Sequence, residues 1–147
     1  MKARECWTAL LNKATRHVQD AQTRLTQLQQ THQSLQDSRA RVEQLYTDYR
    51  APTVQTGAAM QGMHDAINQR QFLNQLDQLR QHVDGELRQS AQALQQQRAA
   101  VLEAERERMK MQALVDQDLQ RQRMAAQARE QKAMDELGLR QFNLRHT

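Results

Sequence analysis

The sequence holds almost nothing that would end a helix: one proline and four glycines in 147 residues. That scarcity argues against a loop-rich or β-sheet architecture, which needs turns at short intervals. Only 38% of the residues are hydrophobic and 3% aromatic, so a round core is not expected. Cys6 is the single cysteine, which excludes an internal disulfide and fits a reducing compartment. No apolar run is long enough for a membrane span, and the opening residues Met1 to Trp7 lack the apolar stretch of a signal peptide. The expected location is the cytoplasm. Charge of one sign is missing too: 21 Lys and Arg are interleaved with 17 Asp and Glu, leaving +4. Without a basic block or an aromatic stacking platform, direct binding of nucleic acid is not expected.

What is present is glutamine, arginine, alanine and leucine, all good helix formers. The mean hydropathy of −0.96 leaves two options, disorder or a helix that buries one narrow stripe. Periodicity decides. Steps of four and three residues from Trp7 meet Leu11, Ala14, Val18, Ala21, Leu25, Leu28, His32, Leu35, Arg39, Val42, Tyr46 and Tyr49. Only His32 and Arg39 are polar among these. Two supercoiled helices require such a heptad and a disordered chain does not.

The stripe stops at Arg50-Ala51-Pro52-Thr53, where proline removes an N–H and restricts the residue before it. Gly57 and Gly62 follow, and Asp65 is a candidate cap for a second helix. In the second arm Phe72, Leu76, Leu79 and Val83 continue the pattern, and Leu87, Ala91 and Leu94 shift it by steps of four. Beyond Leu94 the stripe weakens, with Arg98, Glu105 and Gln112 interrupting any one register. Gly138 is the expected C-terminal stop. The fold class expected is all-α, a long two-helix antiparallel coiled-coil hairpin forming one unit. Its parts are arm one at about 3–50, a bend at about 51–64, arm two at about 65–137 and a flexible tail at 138–147.

A bend centred near Gly57 makes the numbers of facing residues add to roughly 115 in an antiparallel coil, good to about a turn. Arg39 then lies near Asp77, and His32 near Asp84 and Glu86. The first arm runs out opposite Met109 or Leu114, so about thirty C-terminal residues overhang.

No constellation for catalysis stands out. There is no Gly-rich phosphate loop and no Cys/His metal spacing, and His17, His32, His64, His82 and His146 are scattered. No cofactor is expected. Tyr46, Tyr49 and Phe72 cluster by the bend, either as plugs of wide seam layers or as outward anchors for a partner. Met109, Met111, Met124 and Met134 lie in the distal second arm. Methionine there is loose seam filler or a recognition surface, and the basic residues beside it are a solvated face that also steers binding to an acidic partner.

Three stretches carry a resemblance to a known family: Leu45-Tyr46-Thr47-Asp48-Tyr49-Arg50 before the bend, Ile67-Asn68-Gln69-Arg70-Gln71-Phe72-Leu73 after it, and Glu130-Gln131-Lys132-Ala133-Met134-Asp135-Glu136 near the end. In this order and spacing the chain resembles the flagellar export protein FliJ family of the type III secretion apparatus. The resemblance implies a non-catalytic stalk, similar to the rotor shaft of F-type ATPases. Such a stalk inserts in the hexameric export ATPase FliI, promotes ring assembly, and links the ring to the export gate protein FlhA and to export chaperones. It implies peripheral association with the cytoplasmic face of the inner membrane through the gate. By the same resemblance Tyr49, Phe72 and Leu76 bind the gate, with Val42 and Leu79 as looser equivalents. The ring contact falls to Trp7, Leu119, Arg121, Arg123, Met124, Arg129, Lys132 and Met134. The alternatives are the stalk of a virulence-type secretion system and a generic structural coiled coil that dimerises in parallel.

Overall fold

In the computed structural model, residues 2–50 and 62–146 are described, the side chains of 2 and 3 excepted. They form two helices, α1 (Lys2–Arg50) and α2 (Gly62–His146), packed against each other as an antiparallel hairpin. The chain is all-α, as its heptads require. Residues 51–61, most of the expected bend, lie outside the described residues, whereas residues 62–64 already belong to α2.

Both helices are sustained from within as well as by packing. Glutamine amides donate four residues along the helix to aspartate, as in Gln33 to Asp37 at 3.1 Å, Gln112 to Asp116 at 3.0 Å and Gln131 to Asp135 at 3.3 Å. Each such pair stabilises an exposed helix by roughly 0.2–0.5 kcal/mol. Asp65 lies in the first turn of α2, where its negative charge opposes the positive end of the helix dipole.

Contacts divide the chain into two units, Asp20–Val101 and the pair of segments Met1–Gln19 with Leu102–Thr147. In the first unit the α1 seam follows the predicted stripe: Ala21, Leu25, Leu28, His32, Leu35 and Tyr46 are half-buried, Val42 is buried, and only Arg39 and Tyr49 are exposed. The α2 seam departs from expectation. It runs through Leu73, Leu76, Arg80, Val83, Leu87, Ser90, Leu94, Gln97 and Val101 in unbroken three-four steps, while Leu79 and Ala91 face solvent. The shift expected around Leu87 to Leu94 is absent. Reading hydrophobic residues alone misses the seam because Arg80, Ser90 and Gln97 occupy it.

The facing register is also corrected. Tyr49 meets Phe72, His32 meets Ser90, Arg39 meets Asp84 and Glu43 meets Arg80, so the numbers of facing residues add to 121–123. That lies one heptad beyond the expected 115. Arg39 therefore pairs with Asp84, its nitrogen 2.6 Å from the carboxylate, rather than with Asp77. His32 lies 3.0 Å from the Ser90 hydroxyl rather than beside Asp84 or Glu86. Glu86 instead contacts His82 on its own helix at 2.9 Å.

In the other unit, Trp7 and Leu11 are half-buried and Ala14 and Val18 buried on α1. On α2 the half-buried positions Ala104, Arg108, Met111, Val115 and Asp118 keep the three-four spacing, and Leu119 is half-buried beside them. Burial thus persists well past Leu94, where firm pairing was not expected. Every residue from Gln120 to His146 is exposed. The helix nevertheless continues through Gly138 without a stop, and no described glycine has a positive φ. Glycine ends a helix when it adopts the left-handed conformation, and otherwise costs only about 1 kcal/mol relative to alanine. The expected flexible tail is helical through His146.

Candidate functional site

Two surfaces gather the residues singled out in the sequence. The first lies where α1 ends and α2 begins. The Tyr49 and Phe72 rings stand 4.5 Å apart, tilted by 51°, a separation suited to aromatic attraction. Gln69 donates its side-chain amide to the Tyr49 carbonyl and so supplies an acceptor's partner near the end of α1, where the last carbonyls lack intrahelical donors. Tyr49, Asp65, Asn68, Gln69 and Phe72 line an open concavity of about 470 Å³.

The five residues expected there separate by burial. Val42 and Leu76 are 7% and 5% exposed and spend their surface inside the coil. Tyr49 and Leu79 are 47% and 46% exposed, and Phe72 is half-buried. Only these last three present apolar surface to an incoming molecule. The aromatic cluster divides: Tyr46 fills a seam position, while Tyr49 is exposed beside Phe72.

Behind this surface sits an ion cluster that hydrophobic periodicity did not reveal. Arg80 pairs with Asp77 on its own helix, reaches Glu43 on α1 at 3.4 Å and lies 5.0 Å over the Tyr46 ring. The hydrogen bond to Asp77, and then the charges of Asp77 and Glu43, raise the guanidinium above its ordinary value despite some loss of solvation. It is a permanent cation that ties the two helices together under the aromatic pair. The available signal was its position, four residues after Leu76 and three before Val83.

The second surface is the distal part of α2. Asp116, Leu119, Gln120, Arg123, Met124 and Gln127 line one concave face of about 490 Å³. Leu119, Arg123 and Met124 are thereby brought together, whereas Arg121, Arg129, Lys132 and Met134 are distributed along the exposed helix beyond. Met124 and Met134 are 63% and 70% exposed. Leu137 at the expected end of the second arm, and Leu139 and Phe142 in the expected tail, add exposed apolar area, and the Phe142 ring packs 4.3 Å from His146. Trp7 is half-buried in the same unit.

Among the described residues no group of three or more His, Cys, Asp or Glu is arranged to hold a metal, and no helix is long and apolar enough to cross a membrane. Both candidate surfaces are open; the one by Tyr49 and Phe72 is mainly apolar, whereas the distal one mixes Leu119 and Met124 with Asp116, Gln120, Arg123 and Gln127, and both compositions suit recognition of protein.

No curated protein and no solved structure matches the chain. One family model does, that of the flagellar FliJ protein, over residues 8–147. The match takes in α1 from Thr8 onward, all of α2 with its exposed end, and the Tyr49–Phe72 pair, and the chain belongs to the flagellar FliJ protein family.

Proposed function

We propose that this chain is a stalk of the flagellar type III export apparatus that acts through binding and performs no chemistry of its own. The observation that carries the proposal is the end of α2, which stays helical from Gln120 to His146 with every side chain exposed. A helix of this composition lacks a continuous apolar face to bury on itself, and its Met124 and Met134 with Arg121, Arg123, Arg129 and Lys132 suit a surrounding partner with apolar and acidic groups. In this reading the partner is the hexameric export ATPase FliI. Trp7 and Leu119 complete the contact. The Tyr49, Phe72 and Leu79 surface docks on the export gate protein FlhA, with Val42 and Leu76 holding it in shape from the seam. Export chaperones are further partners, and the stalk works in the cytoplasm at the inner membrane.

The mechanism follows from differential binding. A stalk inside a ring contacts its subunits unequally, and it alters ATP turnover only by binding some subunit conformations more tightly than others. The ATP site belongs to the ring. Truncation after Asp118 tests the assignment. It removes half-buried Leu119 and the exposed residues beyond it, so the hairpin should stay folded and gate binding survive. Stimulation of ring assembly and of ATP hydrolysis should be lost. Stimulation at the full-length level would remove the ring contact from this segment.

A further inference from the structure

Heptads on both helices permit more than one alignment of the seam. Sliding α1 against α2 by seven residues puts every seam position on another seam position, because the period is the same on both. Something beyond hydrophobic spacing must hold the observed register, and the polar seam residues of Asp20–Val101 are the candidates.

Their partners discriminate unequally. Arg39 meets Asp84, and one heptad earlier on α2 stands Asp77, so a slide in that direction offers Arg39 an equivalent carboxylate. Gln97 donates to the Ala21 carbonyl at 3.0 Å, and backbone carbonyls recur in any alignment. Arg80 keeps Asp77, on its own helix, whatever α1 does. Its further contact with Glu43 is long, at 3.4 Å, and partly exposed. His32 and Ser90 differ from all of these. Their contact is 3.0 Å, both are half-buried, and the slide sets His32 against Val83 and Ser90 against Leu25. Neither replacement offers a side-chain hydrogen-bonding group.

The neighbours make the layer consequential. In the observed register Leu28 faces Leu94 and Leu35 faces Leu87, the leucine layers on either side of His32 and Ser90. In the slid register Leu28 faces Leu87, so a leucine pair is recovered and apolar packing opposes the slide less than it otherwise would. Gln36 places its amide nitrogen 3.3 Å from the second ring nitrogen of His32, so the imidazole is engaged on both sides.

We propose that the His32–Ser90 layer is the register lock of the coil, preventing a one-heptad slide toward the pairing that joins Arg39 to Asp77. A polar pair within a seam gives up some apolar stabilisation and in exchange excludes alignments that strand its members. Slid by a heptad, the coil would set Tyr49 beside Ala66 instead of the Leu73 turn, dissolving the aromatic pair with Phe72. The lock thereby positions the docking surface at the start of α2, although its existence does not depend on what docks there.

Cysteine cross-linking in the full-length chain carrying Cys6→Ser tests the lock. The pair Leu35→Cys and Leu87→Cys reports the observed register, and the pair Leu28→Cys and Leu87→Cys reports the slid one, with intramolecular products separated from dimers by gel mobility. With His32 and Ser90 in place, only the first pair should oxidise readily. With His32→Leu and Ser90→Leu added, intramolecular product from the second pair should rise about tenfold, on the scale set by leaving a partly buried polar group unpaired. Thermal melting of the leucine-layer chain should be at least as high as before, which separates sliding from unfolding. A slid product already abundant with His32 and Ser90 present, no increase after their replacement, or an increase accompanied by a lower melt would each overturn the proposal.

Discussion

Leu76 and Leu79 are one helical turn apart on α2, yet they are 5% and 46% exposed. Replacing each by alanine removes the same atoms, and any gain in helix propensity is the same at both places, so the difference between them isolates burial. Full burial of a leucine is worth about 1.5–3 kcal/mol, and truncation inside well-packed cores costs roughly 2–5 kcal/mol because a cavity remains. A two-helix seam is flanked by solvent and can relax around the gap. Leu76→Ala should therefore fall near the lower end, about 2–3 kcal/mol. Leu79 already has nearly half its surface in water and leaves no cavity, so Leu79→Ala should cost about 1 kcal/mol or less. Urea unfolding followed by far-ultraviolet circular dichroism measures both. Equal losses, or a larger loss for Leu79, would mean that the seam passes through Leu79 and that Arg80 does not occupy it.

Phe72→Ala should weaken gate binding severalfold while ATPase binding is retained; titration against each partner, with a parallel melt, distinguishes this from a general loss of folding. Gly85→Ala and Gly138→Ala should each stabilise the helix by up to about 1 kcal/mol, since both glycines are helical, neither has a positive φ, and an added Cβ meets nothing within 4 Å. Amide exchange along α2 reads this locally, and faster exchange around residue 138 in the alanine chain would indicate a helix end there. A double-mutant cycle on Arg39 and Asp84 should give a coupling of only about 0.5 kcal/mol that shrinks with added salt, because the two side chains are 50% and 30% exposed. A coupling several times larger and insensitive to salt would mark this pair as the dominant tie between the helices.

The candidate surfaces were unequally legible. Phe72 and Tyr49 stood out because aromatic residues are scarce and both lie by the proline, whereas Val42, Leu76 and Leu79 share one periodic stripe in the sequence and only burial separates the first two from the third. Arg80 was overlooked because a guanidinium in a seam only makes sense once Asp77, Glu43 and the Tyr46 ring are seen around it. Leu139 and Phe142 were assigned to a tail because Gly138 resembles a stop, and whether a glycine ends a helix depends on its φ, which composition does not give.

By itself the sequence determined what is periodic and local. Its heptad from Trp7 to Tyr49 requires α1 and a partner helix, and the break at Pro52 fits a partner supplied by the same chain. The register was beyond its reach for a definite reason: alignments that differ by seven residues present the same hydrophobic pattern, so periodicity cannot choose between them. The register shows itself in pairs distant in sequence, Arg39 with Asp84, His32 with Ser90 and Tyr49 with Phe72. Only the tertiary structure brings them together, because whether such side chains meet depends on the packing of one helix against the other.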